Sequence, residues 1–277
     1  MTETILITGA SSGIGRATAE ILAEQGHTVI VHGRDADRTQ AAAAEIQQTT
    51  GNPNIYTALA DLSSQAAVWQ LADDIGVRFP CLTVLLHNAG VIARQYEQTP
   101  DGLELQLAVN HLAPFLLTHL LLPVLRVNAP ARVVVVSSGA HSAASLDFND
   151  LNASRDYDPV AQYSRTKLMN ILFTNELARR LAGSGVTANS LHPGVIETNL
   201  MHSYFGTQPG QSVGFPTRSL RDGADTSVYL AVSPEVAGVT GRYFTSRQAT
   251  APSAAAQDAA LAVRLWQRSA ELTGVAE

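Results

Sequence analysis

The sequence contains a single cysteine, Cys81, so the chain can form neither an internal disulfide nor a zinc site built from several cysteines. Cysteine usage of this kind is typical of a reducing compartment. The amino terminus also lacks the basic segment, apolar stretch and small-residue cleavage site of a secretory signal. We therefore predict a cytoplasmic protein.

Charged residues are scarce, at 15% of the chain, and acidic residues outnumber basic ones by 24 to 18 for a net charge of -6. A chain with this charge has no general attraction for phosphate backbones or anionic lipid. We therefore expect that nucleic acid is not a partner.

Long hydrophobic runs are also missing. A membrane-spanning helix needs roughly 18 consecutive apolar residues, and the longest candidate, around residues 115–125, is interrupted by Thr118, His119 and Pro123. The sequence therefore predicts no membrane span. His, Asp and Glu do not cluster with the spacing of metal ligands, so we expect no metal.

Short apolar runs do alternate with amphipathic stretches of helical length, and 45% of the 277 residues are hydrophobic. This alternation predicts an α/β fold, a doubly wound parallel sheet with helices on both faces, formed by residues 1–277 as a single domain. The predicted strands are 4–8, 28–32, 55–60, 82–87, 132–137, 187–192 and 241–244. The predicted helices are 13–25, 36–49, 63–78, 102–127, 160–182, 224–232 and 252–272, with Asp35 and Ser63 among the caps.

Two long segments, 139–159 and 197–221, have no clear periodicity. Loops of this length in a compact domain are usually functional, so we expect both to bind substrate. The second is also rich in glycine and large apolar side chains, which suits a mobile lid over an apolar substrate. The residues expected in the lid are Leu200, Met201, Tyr204, Phe205 and Phe215.

A glycine-rich segment, 8–15, follows the first predicted strand and opens the first predicted helix. Glycines permit a tight turn, and the helix start offers unpaired N–H groups to a pyrophosphate. The spacing G-x3-G-x-G is a weak pattern by itself, but its position between strand and helix predicts a Rossmann-type dinucleotide site. The expected contacts are Gly9, Ser11, Ser12, Gly13, Ile14 and Gly15.

The end of the second predicted strand indicates which dinucleotide binds. NAD enzymes have an acidic residue there for the ribose hydroxyls, whereas this chain has Gly33 followed by Arg34. A guanidinium can bind a 2'-phosphate through two N–H groups, which favours NADP(H) over NAD(H). The alternative is that Arg34 is a solvated turn residue and Asp35 only a helix cap.

Further cofactor contacts are expected where the third and fourth predicted strands end. Asp61, with Leu62 beside it, can accept a hydrogen bond from the adenine amino group, and the small residues of Asn88-Ala89-Gly90 let a cofactor lie against the backbone.

Tyr163 and Lys167 are four residues apart on one face of a predicted helix. A phenol can donate a proton to a carbonyl, and a nearby ammonium lowers its pKa enough to permit the reverse step. Lys167 is the only lysine, and with seven tyrosines in 277 residues a lysine placed at random would follow one at this spacing with a probability of about 7/277. The spacing therefore favours an acid/base pair over a solvated helix face.

These motifs together resemble the short-chain dehydrogenase/reductase family, and the resemblance extends over nearly the whole chain. The motifs that carry it are the glycine segment, Asn88-Ala89-Gly90, Asn110, Ser138, Tyr163 with Lys167, and His192-Pro193-Gly194. The 25 positions from Ser138 to Tyr163 (163 − 138), the Asn110-His111-Leu112 stretch and the tail 241–244 are similar to the retinol-dehydrogenase-like branch. His87 departs from the pattern, since many relatives have a second Asn there.

The resemblance implies a role for each matched residue. Ser138 would polarise the substrate carbonyl, Tyr163 would be the general acid/base, Lys167 would bind the nicotinamide ribose and tune Tyr163, and Asn110 would position a water. Strand alternation points Ser137 and Ser138 to opposite faces, and it is the resemblance that favours Ser138. It also implies nicotinamide contacts at Pro193, Gly194, Ile196 and Thr198, and a homodimer or homotetramer formed through the two long helices beside the active site.

We therefore predict an NADP(H)-dependent carbonyl reductase or alcohol dehydrogenase that interconverts an apolar ketone or aldehyde and its alcohol. One alternative is a catalytically silent NADP-binding regulatory or scaffold protein, against which the complete catalytic set argues. A second is a sugar epimerase or dehydratase, which would need a larger substrate domain after Thr198. The histidines His141, His192 and His202 are more often structural or solvated than catalytic.

Overall fold

A computed structural model describes residues 2–208, 211–214 and 216–276. These residues form an eight-stranded sheet in the order β3-β2-β1-β4-β5-β6-β7-β8, parallel except where β8 pairs antiparallel with β7. The strands are β1 (Thr4–Ile7), β2 (Thr28–Gly33), β3 (Ile55–Leu59), β4 (Val84–His87), β5 (Ala131–Val136), β6 (Val186–His192), β7 (Tyr243–Thr245) and β8 (Gln248–Thr250). The predicted α/β fold is confirmed, and β8 is a strand that the sequence did not predict.

Helices cover both faces of this sheet, as expected for parallel strands joined by crossovers. They are α1 (Gly13–Glu24), α2 (Ala36–Thr50), α3 (Gln65–Arg78), α4 (Leu105–Leu107), α5 (Ala113–Val127), α6 (Pro159–Arg180), α7 (Asn199–Phe205), α8 (Leu220–Val232) and α9 (Ala259–Thr273). Asp35 caps α2 as predicted, whereas α3 is capped by Ser64 rather than Ser63. The Ser63 hydroxyl instead donates to Asp61 Oδ1 at 2.8 Å.

The core lies on both sides of the sheet because side chains alternate along each strand. On β5, Val133 and Val135 join the cluster under α3, α5 and α6, whereas Val134 and Val136 join the cluster under α1, α2 and α8. The carboxyl-terminal helix α9 closes the first cluster through Trp266, whose ring lies 4.9 Å from that of Phe115.

The helical segment Leu105–Val127 changes character along its length. It begins as α4, passes through a π-helical turn at Ala108–Leu112 and continues as α5. With a mean hydropathy of 1.5, it is the one described helix long and apolar enough to cross a membrane, which the count of uninterrupted apolar runs had missed. Of its most apolar window, 72% is buried inside the fold, as in the core helix of a globular domain.

Several predicted boundaries are wrong. Residues 197–221 contain α7 and the start of α8, and α9 begins at Ala259 rather than at residue 252. Residues 139–159 begin with a 3-10 turn, Gly139–Ala143.

Candidate active site

A cavity of about 960 Å³ runs along the carboxyl ends of the parallel strands, where the connecting loops meet. It brings together nearly all of the residues that the sequence singled out. The predicted site residues that line it are Gly9, Ser11, Ser12, Gly13, Ile14, Arg34, Asp61, Leu62, Asn88, Ala89, Gly90, Ser138, Tyr163, Lys167, Pro193, Gly194, Ile196 and Thr198. Gly15 and Asn110 lie behind the wall instead.

The glycine-rich loop packs closely on the loop after β4. Gly9 has φ +65° and a Cβ on it would lie 2.9 Å from Ala89 Cα, so a side chain cannot be accommodated. At Gly15 a Cβ would overlap the Asn88 side chain, whose Nδ2 donates to Thr8 O at 2.9 Å. The role of Gly15 is therefore close packing of the two loops, not contact with the cavity.

The loop after β2 forms the far end of the cavity. Arg34 is exposed and lines it, together with Arg38 from the first turn of α2, a residue that the sequence reasoning missed. The Asp35 carboxylate accepts from Arg38 N at 2.9 Å, so the helix-cap role considered for Asp35 is confirmed. A Cβ at Gly33 would overlap the Thr39 hydroxyl. Two arginines thus line the cavity beside the end of β2.

His32, at the end of β2, is a second residue that the sequence reasoning missed. Its Nδ1 accepts from the backbone N–H of Gly9 at 3.2 Å. Burial lowers the pKa of His32 to about 4, so the ring is neutral at pH 7 and can serve as this acceptor. His32 therefore fixes the start of the glycine loop to β2.

Tyr163, Lys167 and Ser138 meet at the opposite end of the cavity. Tyr163 is 6% exposed, and burial raises the pKa of its phenol while a hydrogen bond with the Ser138 side chain acts in the opposite direction. Lys167 Nζ lies 5.4 Å from the Tyr163 ring centre and donates to Val136 O at 3.1 Å. Burial lowers the pKa of Lys167 to about 8. The three groups can hold a proton next to a polarised substrate oxygen.

The two adjacent serines have different surroundings. The Ser137 hydroxyl donates to the backbone oxygen of Lys167 at 2.8 Å and is buried, which ties β5 to α6. Ser138 is half-buried, and its side chain interacts with Tyr163. Both serines line the cavity, and the Ser138 side chain is the one that interacts with Tyr163.

Asn110 lies in the π-helical turn and is fully buried. Its Oδ1 accepts from Val91 N at 2.8 Å, and its Nδ2 donates to Val91 O at 3.0 Å and to Thr166 Oγ1 at 3.1 Å. The side-chain amide therefore holds the loop after β4 rather than reaching into the cavity.

Within the segment 197–221, helix α7 lies against Tyr163. Leu200, Met201, Tyr204 and Phe205 of α7 line the cavity, and the Tyr204 ring centre lies 5.6 Å from that of Tyr163. Thr198 caps α7 by accepting from Met201 N at 3.1 Å. Phe215, also expected in the lid, falls outside the described residues.

The other expected substrate segment contributes less than predicted. Of residues 139–159, only Gly139, Ala140, Ser142 and Ala143 line the cavity. The rest packs on the helices, with Leu151 buried in the core and the Tyr157 hydroxyl 2.8 Å from Ala93 O. Its buried apolar residues are isolated between polar ones, which explains why this stretch shows no hydrophobic periodicity.

The three noted histidines have different surroundings. His192 lines the cavity, and burial lowers its pKa to about 4. The buried His202 pairs with Thr207 Oγ1 at 2.9 Å. His141 is also buried and uses both ring nitrogens in contacts with the backbone. Across the described part of the chain, no three His, Cys, Asp or Glu residues are grouped as metal ligands.

Comparison with known families identifies the family of the chain. Residues 3–209 match the family described as short chain dehydrogenase. The chain belongs to this family. Human retinol dehydrogenase 13 is 41% identical over 281 residues, which cover 99% of this chain and 85% of that protein, so the short-chain dehydrogenase belongs to the retinol-dehydrogenase-like branch.

Solved structures agree with this membership. An uncharacterised protein from Mycobacterium paratuberculosis superimposes with a TM-score of 0.80 at 36% identity, covering 99% of this chain and 94% of that one. A short-chain dehydrogenase from Shigella flexneri, complexed with NADP, has a TM-score of 0.72 and 27% identity, covering 89% of this chain and 97% of that one. The short-chain dehydrogenase described here is therefore an oxidoreductase.

Proposed function

We propose that this short-chain dehydrogenase interconverts an apolar ketone or aldehyde and its alcohol, with NADP(H) as the hydride carrier. The observation that carries the proposal is the cavity itself, with Arg34 and Arg38 at one end and Ser138, Tyr163 and Lys167 at the other. The NADP complex of the Shigella flexneri relative supports the choice of cofactor. The human relative's name, retinol dehydrogenase, supports an apolar alcohol as substrate.

The residues along the cavity fit a nicotinamide dinucleotide. The glycine loop brings bare backbone and the start of α1 to the position for a pyrophosphate. Arg34 and Arg38 offer guanidinium groups to a 2'-phosphate, and Asp61 offers an acceptor to the adenine. Pro193, Gly194, Ile196 and Thr198 line the end where the nicotinamide would lie, close to Tyr163.

The bound nicotinamide would supply or accept the hydride. In the direction of reduction, the Ser138 hydroxyl donates a hydrogen bond to the substrate carbonyl oxygen, and the Tyr163 phenol gives its proton to the same oxygen. Burial raises the pKa of Tyr163, so the phenol holds that proton at neutral pH. The Lys167 ammonium then stabilises the phenolate that remains. Oxidation of the alcohol runs through the same groups in reverse.

The substrate end of the cavity supports the apolar character of the substrate. Apolar side chains from three elements line it: Val91 after β4, Leu105 and Val109 near the π turn, and Leu200 and Met201 on α7. Such a wall stabilises a hydrocarbon group by removing it from water.

The test of the function is NADPH oxidation with a panel of ketones and aldehydes. We expect turnover with bulky apolar carbonyl compounds and a loss of about a hundredfold to ten-thousandfold in Tyr163→Phe, with the fold and NADPH binding retained. Failure of the unmodified enzyme to turn over any compound would favour a silent NADP-binding protein, and conversion without net cofactor change would favour an epimerase. A preference for small charged keto acids would contradict the apolar substrate.

The cofactor preference has its own test in Arg34→Ala. A charge-assisted bond to phosphate contributes about 1.5–3 kcal/mol, so NADPH binding should weaken by roughly tenfold to a hundredfold, while NADH binding barely changes. Arg126→Ala, an exposed arginine near the end of α5, is the matched control. The measurement is the Kd of each cofactor by fluorescence titration. An equal loss for both cofactors would refute the phosphate contact.

The remaining parts of the proposal rest on composition and resemblance. We propose cytoplasmic residence because a single cysteine is typical of a reducing compartment. A homodimer or homotetramer stays a prediction.

A further inference from the structure

His141 lies in the 3-10 turn that follows Ser138, and it contacts a segment more than a hundred residues later in the chain. Its Nδ1 is 2.7 Å from Ser138 O, and its Nε2 is 3.2 Å from the backbone nitrogen of Ser253. The ring is buried and packs edge-on against Tyr243, with 5.1 Å between ring centres. His141 therefore joins the catalytic turn to the segment that leads into α9.

These two partners fix the tautomer of the ring. A backbone N–H can only donate, so Nε2 must carry a lone pair towards Ser253, and a carbonyl can only accept, so Nδ1 must carry the proton towards Ser138. These contacts place the hydrogen on Nδ1 and a lone pair on Nε2. Both ring nitrogens are committed to the backbone, which leaves neither for proton transfer to a substrate.

The bond to Ser138 O determines how the Ser138 hydroxyl is presented. The Ser138 carbonyl is held by both the ring and the backbone N–H of His141, the latter at 3.2 Å. With the turn held in this way, Ala140 N donates to Ser138 Oγ at 3.2 Å. This bond occupies a lone pair of the hydroxyl and leaves its single proton for a substrate oxygen beside Tyr163, whose pKa the Ser138 side chain affects.

The Ser253 side of the contact is equally specific. Ser253 precedes a 3-10 turn, Ala255–Gln257, whose first bond runs from Ala256 N to Ser253 O at 3.0 Å. Asn175 of α6 holds the same turn by donating to Ala256 O at 2.9 Å. The carboxyl-terminal segment is therefore tied both to the catalytic helix and, through His141, to the catalytic serine.

We propose that His141 is a positioning residue, which holds the Ser138 hydroxyl in place for Tyr163 and makes that placement depend on the segment around Ser253. This inference rests on the proposed function of Ser138 and Tyr163. It assigns to His141 a role that acts through Ser138 and not on the substrate.

Two substitutions separate the two bonds of the ring. The amide nitrogen of an asparagine reaches the place of Nδ1, so His141→Asn keeps the donor to Ser138 O and loses the acceptor for Ser253. The amide oxygen of a glutamine reaches the place of Nε2, so His141→Gln keeps the Ser253 bond and loses the one to Ser138. His119→Gln, a half-buried histidine on α5, is the control for replacing an imidazole.

We expect His141→Gln to lower kcat by roughly 10- to 100-fold with little change in KM or in NADPH affinity, and His141→Asn to lower it by less than about threefold. The melting temperature should show the opposite order, with a larger drop in His141→Asn than in His141→Gln. In a Ser138→Ala background, His141→Gln should cost little further activity, because the hydroxyl that it positions is gone. Equal kcat losses in the two variants, or a full additional loss in the Ser138→Ala background, would overturn the proposal.

A measurement that needs no turnover separates this proposal from the proposed function. In 15N-histidine NMR, the signal that disappears in His141→Asn should show hydrogen on Nδ1 and an unprotonated Nε2. The Nε2–H tautomer would overturn the positioning role even in an active enzyme. The expected tautomer in a protein that turns over no carbonyl compound would leave the anchoring of Ser138 intact and refute the reaction instead.

Discussion

The Lys167 ammonium is held at a defined point in the wall of the cavity. Its Nζ is 3.1 Å from Val136 O and would be 3.5 Å from a Cβ at Gly90. We expect Lys167→Arg to lose about a hundredfold in turnover, because a planar guanidinium keeps the charge but cannot occupy the same point. The measurement is steady-state NADPH oxidation beside a melting curve, which should show a folded protein. Near-normal turnover would mean that charge alone is needed at this position.

Single residues also show what a sequence pattern can and cannot predict. Tyr163 and Lys167 were found because helical spacing brings residues four apart onto one face. Arg38 was missed although it begins a predicted helix near the expected phosphate, which was the available signal. The contact of His141 with Ser253 joins residues 112 positions apart, and no local pattern specifies it.

The helix α7 is the element that most directly shapes the substrate end of the cavity. Tyr204 extends from it to Tyr163 and also contacts Phe205, with 4.9 Å between those two ring centres. We expect Tyr204→Ala to raise KM for bulky apolar ketones by about tenfold, because the wall loses an aromatic ring of apolar area, while small ketones are little affected.

The control for this change is Val127→Ala, which removes an exposed apolar side chain at the end of α5. Michaelis constants for a series of ketones of increasing chain length would measure the effect. A uniform rise in KM across the series would show that Tyr204 supports the fold of the site rather than contacting the substrate.

Elements with strong periodicity were predicted well, and those defined by capping were not. The run of valines in β5 predicts a strand that is buried on both faces. In the structure, Val133 to Val136 alternate between the two core clusters, as this prediction requires. By contrast, α7 has only seven residues and is set by its cap, Thr198, and by Gly206 in a left-handed conformation. The strand β8 is short and exposed, so it has no apolar pattern to detect.

At the scale of the whole molecule, burial affects the protonation of several of the described histidines. Burial lowers the pKa of His87 and His111 to about 3 and that of His32 and His192 to about 4. These histidines bind protons more readily in the unfolded chain than in the folded protein. The neutral rings therefore contribute fully to the free energy of unfolding above pH about 6.5, and this contribution is lost as the pH falls towards 4.

We therefore expect the free energy of unfolding to be flat near pH 7 and to fall by several kcal/mol between pH about 6.5 and 4, since each pKa unit corresponds to about 1.4 kcal/mol. Urea unfolding at a series of pH values measures this. His87→Asn, which removes one titrating ring, should reduce the slope. Burial also raises the pKa of Glu104. Ionisation of this carboxyl in the unfolded chain lowers the free energy of unfolding as the pH rises above about 4.5, which is opposite to the effect of the histidines. The measured dependence of the free energy of unfolding on pH therefore shows which groups dominate. A pH dependence identical in His87→Asn and in the unmodified protein would contradict the neutral burial of the His87 ring.

The packing around Gly33 bears on how this enzyme could evolve. An acidic side chain there, as NAD enzymes have, would overlap the Thr39 hydroxyl, which donates to Asp35 O at 2.6 Å in the first turn of α2. An acid at this position therefore requires the Thr39 side chain to move or to become smaller, and either change loses the hydrogen bond from its hydroxyl to Asp35 O. The contact of Gly33 with Thr39 thus couples the position that an acid would occupy to the first turn of α2, so an acidic substitution at Gly33 needs a compensating change at Thr39.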